Sequence, residues 1–142
     1  MIILDTNVLS ELVRPDPSPA VIRSMQGFLP TRLFVTTITA AEMRVGYSLL
    51  PSGKRRDELT ARVELLLKTF ADRSLPFDDA ASHRFAAITA RCRAAGRALP
   101  FLDGLIAAIA LSRNATLATR NVRDFELCQL PLINPWEQAL PA

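Results

Sequence analysis

The sequence predicts an α/β protein built on a central parallel sheet, and two observations support this prediction. Short apolar segments alternate with longer segments in which apolar residues recur at the helical period, which is the pattern of repeated β–α–β units. The chain also opens on a continuous apolar run, residues 1–4, of the kind that forms a strand buried on both faces. A length of 142 residues fits one domain, spanning residues 1–142.

The predicted elements follow one another with turn signals between them. After the first strand and helix, the proline-rich residues 14–19 must break regular structure. Pro76 interrupts one strand candidate and places it at a sheet edge, and Gly96 marks the end of a helix that starts at Asp78 and Asp79. We predict further strands over residues 33–38, 75–77, 116–119 and 132–133, and further helices over residues 20–28, 39–50, 56–70 and 104–111.

Composition excludes several classes of protein. Hydrophobic residues make up 49% of the chain and its mean hydropathy is +0.18, so the chain is globular rather than disordered. The sequence contains no apolar run near the ~20 residues of a membrane span and no basic flank typical of a signal peptide. Cys92 and Cys128 lack metal-ligand spacing, so we expect free thiols in a reducing cytoplasm.

Basic residues and motifs narrow the chemistry without deciding it. The net charge is +3, and fifteen of the seventeen basic residues are arginine. Arginine suits phosphate recognition, although a GC-rich genome would produce the same bias. The sequence has no nucleotide-binding glycine loop of the G-x-x-x-x-G-K-[ST] or G-x-G-x-x-G type. His83 is the sole histidine, so triads that need a catalytic histidine are poorly supported.

Acidic and polar residues recur where strands end and helices begin. Asp5 follows the first strand, Glu42 follows the second, Asp103 opens a helix, and residues 119–124 follow the strand at 116–119. A parallel sheet brings the carboxyl ends of its strands to one edge, whatever their separation in sequence. Carboxylates gathered there repel one another unless a hard cation such as Mg²⁺ or Mn²⁺ neutralises them. Such a site can activate water for attack on a phosphodiester.

Each of these residues also has an explanation that needs no function. Asp5 and Asp103 can be helix N-caps, Thr39-x-x-Glu42 reads as a capping box, and Asp124 can be a solvated loop acid. Position alone therefore leaves both interpretations open.

Five segments in order resemble the motifs of the PIN-domain nucleases, specifically the VapC-type toxins and their FitB-like branch. They are residues 3–11 (ILDTNVLSE), 37–46 (TITAAEMRVG), 103–108 (DGLIAA), 118–125 (ATRNVRDF) and 134–136 (NPW). The resemblance implies a PIN-domain α/β/α sandwich. It implies Asp5 and Asp103 as direct Mg²⁺ ligands, with Mn²⁺ as a possible substitute, and Glu42 nearby or bridging through water.

The chain departs from the resemblance at one position. Asn121 stands where many relatives carry a fourth acid, so a second metal is in doubt. We nevertheless include Asn121 with Asp5, Glu42 and Asp103 among the catalytic candidates. Residues expected to orient the site or contact RNA are Thr6, Asn7, Thr119, Arg120 and Asp124, with Arg91, Arg93 and Arg97 as further phosphate contacts or a solvated helical face.

The resemblance further implies a toxin of a type II toxin–antitoxin system. Its activity would be endoribonucleolytic cleavage of tRNA or mRNA, which inhibits translation. The implied partners are the RNA substrate, a cognate antitoxin and a second copy of the chain, in a homodimer or a toxin–antitoxin hetero-oligomer, with no membrane. We place the antitoxin groove over residues 40–67. The alternative, favoured by Asn121, is a catalytically weak or silent PIN-like module that binds nucleic acid or a partner.

Overall fold

A computed structural model describes residues 1–137 and confirms the predicted α/β architecture. Within these residues five strands form one sheet in the order β3-β2-β1-β4-β5, and every adjacent pair is parallel. The strands are β1 (Ile2–Leu4), β2 (Leu33–Thr36), β3 (Ser74–Leu75), β4 (Thr116–Ala118) and β5 (Leu132–Ile133). The predicted edge position of the strand beside Pro76 is confirmed, since β3 lies at one end of the sheet.

Helices cover both faces of the sheet. Four of them, α1 to α4, pack with one apolar cluster on one face, while α5 and α6 pack with a second cluster on the other. The helices are α1 (Thr6–Leu12), α2 (Pro19–Gln26), α3 (Thr37–Ser48), α4 (Lys54–Thr69), α5 (Asp79–Ala94) and α6 (Phe101–Ser112). Short 3₁₀ helices cover Pro30–Arg32, Ala71–Arg73 and Val122–Cys128.

The alternation of side chains along β1 divides the core in two. Ile2 and Leu4 belong to the α1–α4 cluster, whereas Ile3 belongs to the α5–α6 cluster. All three residues are at most 3% exposed, as expected of a central parallel strand covered on both faces. This burial explains why the first segment is apolar without alternation.

The strand order creates a switch point beside β1. The chain steps outward from β1 to β2 and β3, and then crosses the sheet to β4 on the other side of β1. In open α/β sheets the ligand crevice lies at such a switch point, beyond the carboxyl ends of the strands. Here the backbone N–H of Asp5 donates to the carbonyl of Ala118 at 2.9 Å, which joins the ends of β1 and β4.

Two predicted helix starts are wrong. The β-branched run that suggested a strand through Ile38 ends at Thr36, because the Thr36 hydroxyl accepts the backbone N–H of Thr39 at 3.0 Å and begins α3 at Thr37. The capping box Thr39-x-x-Glu42 is therefore not formed. Asp103 is not an N-cap either, since α6 begins earlier, at Phe101, after Pro100.

Other local predictions are confirmed. Gly96 follows the C-cap Ala95 of α5 and adopts φ +67°, the left-handed conformation that favours glycine after a helix. Cys92 and Cys128 are buried free thiols, and burial raises the pKa of Cys128 to about 11. Over residues 1–137 no helix combines the length and apolar character that crossing a membrane requires.

Candidate active site

A polar pocket of about 460 Å³ opens at the switch point between β1 and β4. It is lined by residues that follow β1, β4 and β5, together with residues of α1, α3 and α6. Seven of the nine predicted site residues line it, namely Asp5, Thr6, Asn7, Glu42, Asp103, Arg120 and Asn121. The prediction that these distant segments converge on one edge of the sheet is therefore confirmed.

Asp5 is a buried carboxylate whose orientation is fixed by its neighbours. Asp5 is only 3% exposed, and its Oδ1 accepts the backbone N–H of Thr6 at 2.8 Å. Oδ2 accepts the Thr119 hydroxyl at 2.8 Å and the Asn7 amide at 3.3 Å. Burial raises the pKa of Asp5, the bonds from Thr119 and Thr6 lower it, and the charge of Glu42 raises it further.

Thr119 and Asn7 together connect β4 to the start of α1. The Thr119 side chain is fully buried, and its oxygen accepts the Asn7 amide at 3.3 Å and the backbone N–H of Asn121 at 3.0 Å. The Asn7 carbonyl oxygen in turn accepts the backbone N–H of Arg120 at 3.2 Å. These bonds determine where the chain after β4 passes the pocket.

Glu42 is oriented by a threonine from another element. The Thr6 hydroxyl donates to Glu42 Oε1 at 2.7 Å, and its oxygen lies 3.2 Å from the Thr39 hydroxyl. Glu42 therefore faces α1 and the pocket instead of capping its own helix. Asp5 can serve as N-cap of α1 and remain a site acid, because Thr6 N–H occupies only one of its oxygens.

Asp103 projects from the first turn of α6 and is only half buried. Burial, followed by the negative charges of Asp5, Glu42 and Asp124, raises the pKa of Asp103 to about 6. The site therefore concentrates more negative charge than its own protein groups neutralise.

The donor set fits a hard divalent cation bound by few protein ligands. Among residues 1–137, no three Asp, Glu, His or Cys side chains are grouped closely enough to hold one ion jointly. Mg²⁺ commonly takes one or two carboxylates and keeps several water ligands, so it does not require such a group. Asp5 and Asp103 both line the pocket and could supply two such carboxylates, and the Thr6 hydroxyl orients Glu42 beside them.

Thr119 and Asp124 are the two predicted residues that do not line the pocket, and Thr119 is buried where its hydroxyl bonds Asp5. Asn121 is exposed at the pocket rim, where its backbone precedes the 3₁₀ helix Val122–Cys128. Asp124 is exposed on that 3₁₀ helix and does not line the pocket, although its charge reaches Asp103.

Two of the arginines predicted to contact phosphate instead hold this 3₁₀ helix against α5. Arg91 donates to the carbonyl of Leu127 at 3.1 Å. Arg97 donates to the carbonyl of Arg123 at 3.0 Å and contacts Glu126 at 3.4 Å. Arg93 is exposed on α5 and lines a different cavity.

Two residues at the ends of the quoted motifs, Glu11 and Trp136, are not among the predicted site residues. Trp136 lines the pocket and packs beside the guanidinium of Arg120, whose Cζ lies 5.0 Å from the ring centroid. Glu11 is buried and accepts the backbone N–H of Ser18 at 2.7 Å, which fixes the turn between α1 and α2. The sequence around Trp136 gives no signal of this contact, because the contact depends on the adjacency of β4 and β5.

The fold and the site define an α/β protein with an acidic pocket at the switch point of a parallel sheet. Within that class, the chain belongs to the PIN-domain family, whose model (PIN domain) matches residues 2–128. This confirms the family that the sequence motifs indicate.

Similar chains cover nearly the whole sequence. Plasmid stability protein StbB of Pseudomonas syringae pv. tomato is 45% identical, over 96% of this chain and 99% of the relative. The VapC ribonuclease Y4jK of Sinorhizobium fredii is 41% identical, over 98% and 100%. Toxin FitB of Neisseria gonorrhoeae is 37% identical, over 96% and 99%. A solved structure of FitAB bound to an IR36 DNA fragment superposes with a TM-score of 0.91 at 37% identity and covers 99% of both chains.

Proposed function

We propose that this chain is the toxin of a type II toxin–antitoxin system and acts as a divalent-metal-dependent endoribonuclease. The observation that supports the activity best is the convergence of Asp5, Glu42 and Asp103 on one pocket at the switch point. The similarity to a VapC ribonuclease and to toxin FitB supports both the activity and the biological role. We expect the protein to act in the cytoplasm on tRNA or mRNA and to inhibit translation.

Each residue of the pocket has a distinct task in this proposal. Asp5 and Asp103 would hold the cation, with Mg²⁺ as the expected ion and Mn²⁺ as a substitute. Bound there, the ion would supply Lewis-acid activation of water and neutralise charge on the phosphodiester. Thr119 and Asn7 keep Asp5 in one orientation, and Thr6 does the same for Glu42. Glu42 would orient the attacking water by accepting its hydrogen bond.

The adjoining groove supports a protein partner. A second cavity of about 500 Å³ lies between α1, α3 and α4, and it shares Thr6, Ser10, Arg14 and Glu42 with the acidic pocket. Apolar residues of α3 and α4, including Met43, Leu59 and Val63, line its floor, and most of the lining lies within the predicted region 40–67. An amphipathic antitoxin segment bound there would reach the site acids. The homodimer and the hetero-oligomer stay predictions.

Regulated expression in a bacterial host tests this function. The wild-type chain should arrest growth and produce discrete RNA fragments, whereas Asp103→Asn should do neither at equal protein level. Co-expression of the small protein encoded beside it should restore growth. Growth arrest by Asp103→Asn equal to that of the wild type would contradict a nuclease mechanism and favour the silent binding module that Asn121 suggests.

A further inference from the structure

The stacked pair formed by Arg120 and Trp136 has no part in holding the cation or the water. Both residues line the acidic pocket, and the Arg120 guanidinium carbon lies 5.0 Å from the centroid of the Trp136 ring. Arg120 comes two residues after the end of β4, and Trp136 comes three residues after the end of β5. These strands are adjacent, so their carboxyl ends present the pair.

The backbone on both sides of the pair is fixed. The backbone N–H of Trp136 donates to Asn134 Oδ1 at 3.0 Å, and the backbone N–H of Arg120 donates to Asn7 Oδ1 at 3.2 Å. Thr119 N–H donates to the carbonyl of Ile133 at 2.9 Å, which joins the two segments. Trp136 packs against the α1–α4 core cluster and is partly exposed, and Arg120 is exposed.

Arg120 contacts an aromatic ring although carboxylates line the same pocket. Four carboxylates line the pocket, yet among residues 1–137 Arg120 forms no ion pair with any of them and lies against an aromatic ring instead. Arg14, the other pocket arginine, is paired with Glu11 at 3.3 Å. A guanidinium that stacks through its face keeps its N–H edge free for an anion. The carboxylates remain free for the cation.

We propose that the Arg120–Trp136 pair is a stacking platform for one nucleobase of single-stranded RNA, next to the phosphodiester that is cut. Single-stranded RNA is recognised by stacking of unpaired bases on aromatic rings and guanidinium planes, with basic groups on the backbone. The pair supplies both surfaces at the rim of the acidic pocket. The inference rests on the proposed ribonuclease function and assigns to both side chains the role of positioning residues.

Trp136 is the only tryptophan of the chain, so its fluorescence reports on the platform directly. All proteins in the experiment carry Asp103→Asn in EDTA, so that RNA is bound without being cut. The probes are oligo(U) and oligo(A) of about twelve nucleotides, within the usual range of site sizes, and inorganic polyphosphate at equal charge. RNA should quench Trp136 emission, and polyphosphate should leave it unchanged.

Three further substitutions separate stacking from charge and from structure. Arg120→Lys keeps the charge and removes the plane, so RNA affinity should fall roughly five- to hundredfold while polyphosphate affinity changes little. Arg32→Lys is the matched control, because Arg32 is exposed and immediately precedes β2, at the amino ends of the strands and away from the pocket. The RNA affinity of this variant should equal that of the protein with Arg32. Trp136→Phe keeps a ring and should retain RNA binding, with thermal unfolding as the check on folding.

Several results would overturn the platform. They are an RNA affinity of Arg120→Lys equal to that of the unaltered pair, equal quenching of Trp136 by RNA and by polyphosphate, or no RNA binding at all. RNA cleavage is measured separately, with Mg²⁺ and with proteins that keep Asp103. Cleavage without a Trp136 response overturns the platform and leaves the nuclease intact. A Trp136 response to RNA without cleavage in the presence of any divalent ion overturns the proposed nuclease activity and leaves the platform as an RNA-binding site.

Discussion

At the scale of single residues, hydroxyl and amide groups set the orientation of two of the site carboxylates, the buried Asp5 and the partly buried Glu42. Asp5 illustrates this arrangement, since Thr119, Asn7 and the Thr6 backbone all donate to its two oxygens. Replacing a group that orients a metal ligand typically costs about 10- to 100-fold in metal affinity or activity. Removing one of them therefore tests the site without removing a carboxylate.

Thr119→Val should lower ribonuclease activity by about 10- to 100-fold, because Asp5 loses its 2.8 Å bond and the side chain keeps its shape. Thr119→Ser keeps the hydroxyl and should retain most of the activity. Initial rates of RNA cleavage at varied Mg²⁺ measure both variants. Equal activity of Thr119→Val and the wild type at every Mg²⁺ concentration would show that Asp5 needs no such support.

The raised pKa of Asp103 has a consequence for stability without metal. The folded chain keeps a proton on Asp103 up to about pH 6, whereas the unfolded chain releases it near the ordinary pKa of 3.8. Between these values the folded state binds more protons, so the contribution of Asp103 is present at low pH and is lost as pH rises through about 6.

Asp103→Asn should therefore unfold at a higher temperature than the wild type in EDTA above about pH 6, and the difference should shrink towards about pH 4. Thermal melts of both proteins across this range provide the measurement. Mg²⁺ should stabilise the wild type and leave the variant unchanged. A variant that is less stable than the wild type at neutral pH without metal would contradict the electrostatic description of the pocket.

At the scale of elements, helix caps and the sheet edge work together. Thr36 ends β2 and caps α3, and its hydroxyl also lies 3.3 Å from the Thr39 hydroxyl, which approaches Thr6. The start of α3 is thereby linked to the residue that orients Glu42. The predicted strand extends past the end of β2 because β-branched residues favour strands. The Thr36 cap outweighs that preference and begins α3 at Thr37.

Thr36→Ala should lower the free energy of unfolding by about 1 kcal/mol, because the buried N–H of Thr39 loses its acceptor. Thr36→Ser should restore most of that loss. Urea unfolding of the two variants and the wild type supplies the comparison. A loss below about 0.3 kcal/mol in Thr36→Ala would mean that water or another group caps α3 equally well.

At the scale of the whole molecule, the sheet explains which parts of the site could be predicted. Apolar periodicity and the convergence of strand ends are properties of parallel sheets, so they placed Asp5, Glu42 and Asp103 together without any contact being known. The contacts themselves could not be predicted, since the bond from Thr119 to Asp5 joins residues 114 positions apart. The contact between Arg120 and Trp136 could not be predicted for the same reason, because the sequence does not show that β4 and β5 are neighbours in the sheet.

The central claim is that Asp5 and Asp103 hold a divalent cation with which the chain cuts RNA. Its most direct test is cleavage of total RNA by purified wild type, Asp5→Asn and Asp103→Asn, in Mg²⁺, Mn²⁺ or EDTA, with Arg32→Lys as a control. We predict discrete fragments from the wild type and Arg32→Lys in either metal, and none in EDTA or from the two carboxylate variants. Cleavage by Asp5→Asn at the wild-type rate, or cleavage by the wild type in EDTA, would contradict the claim.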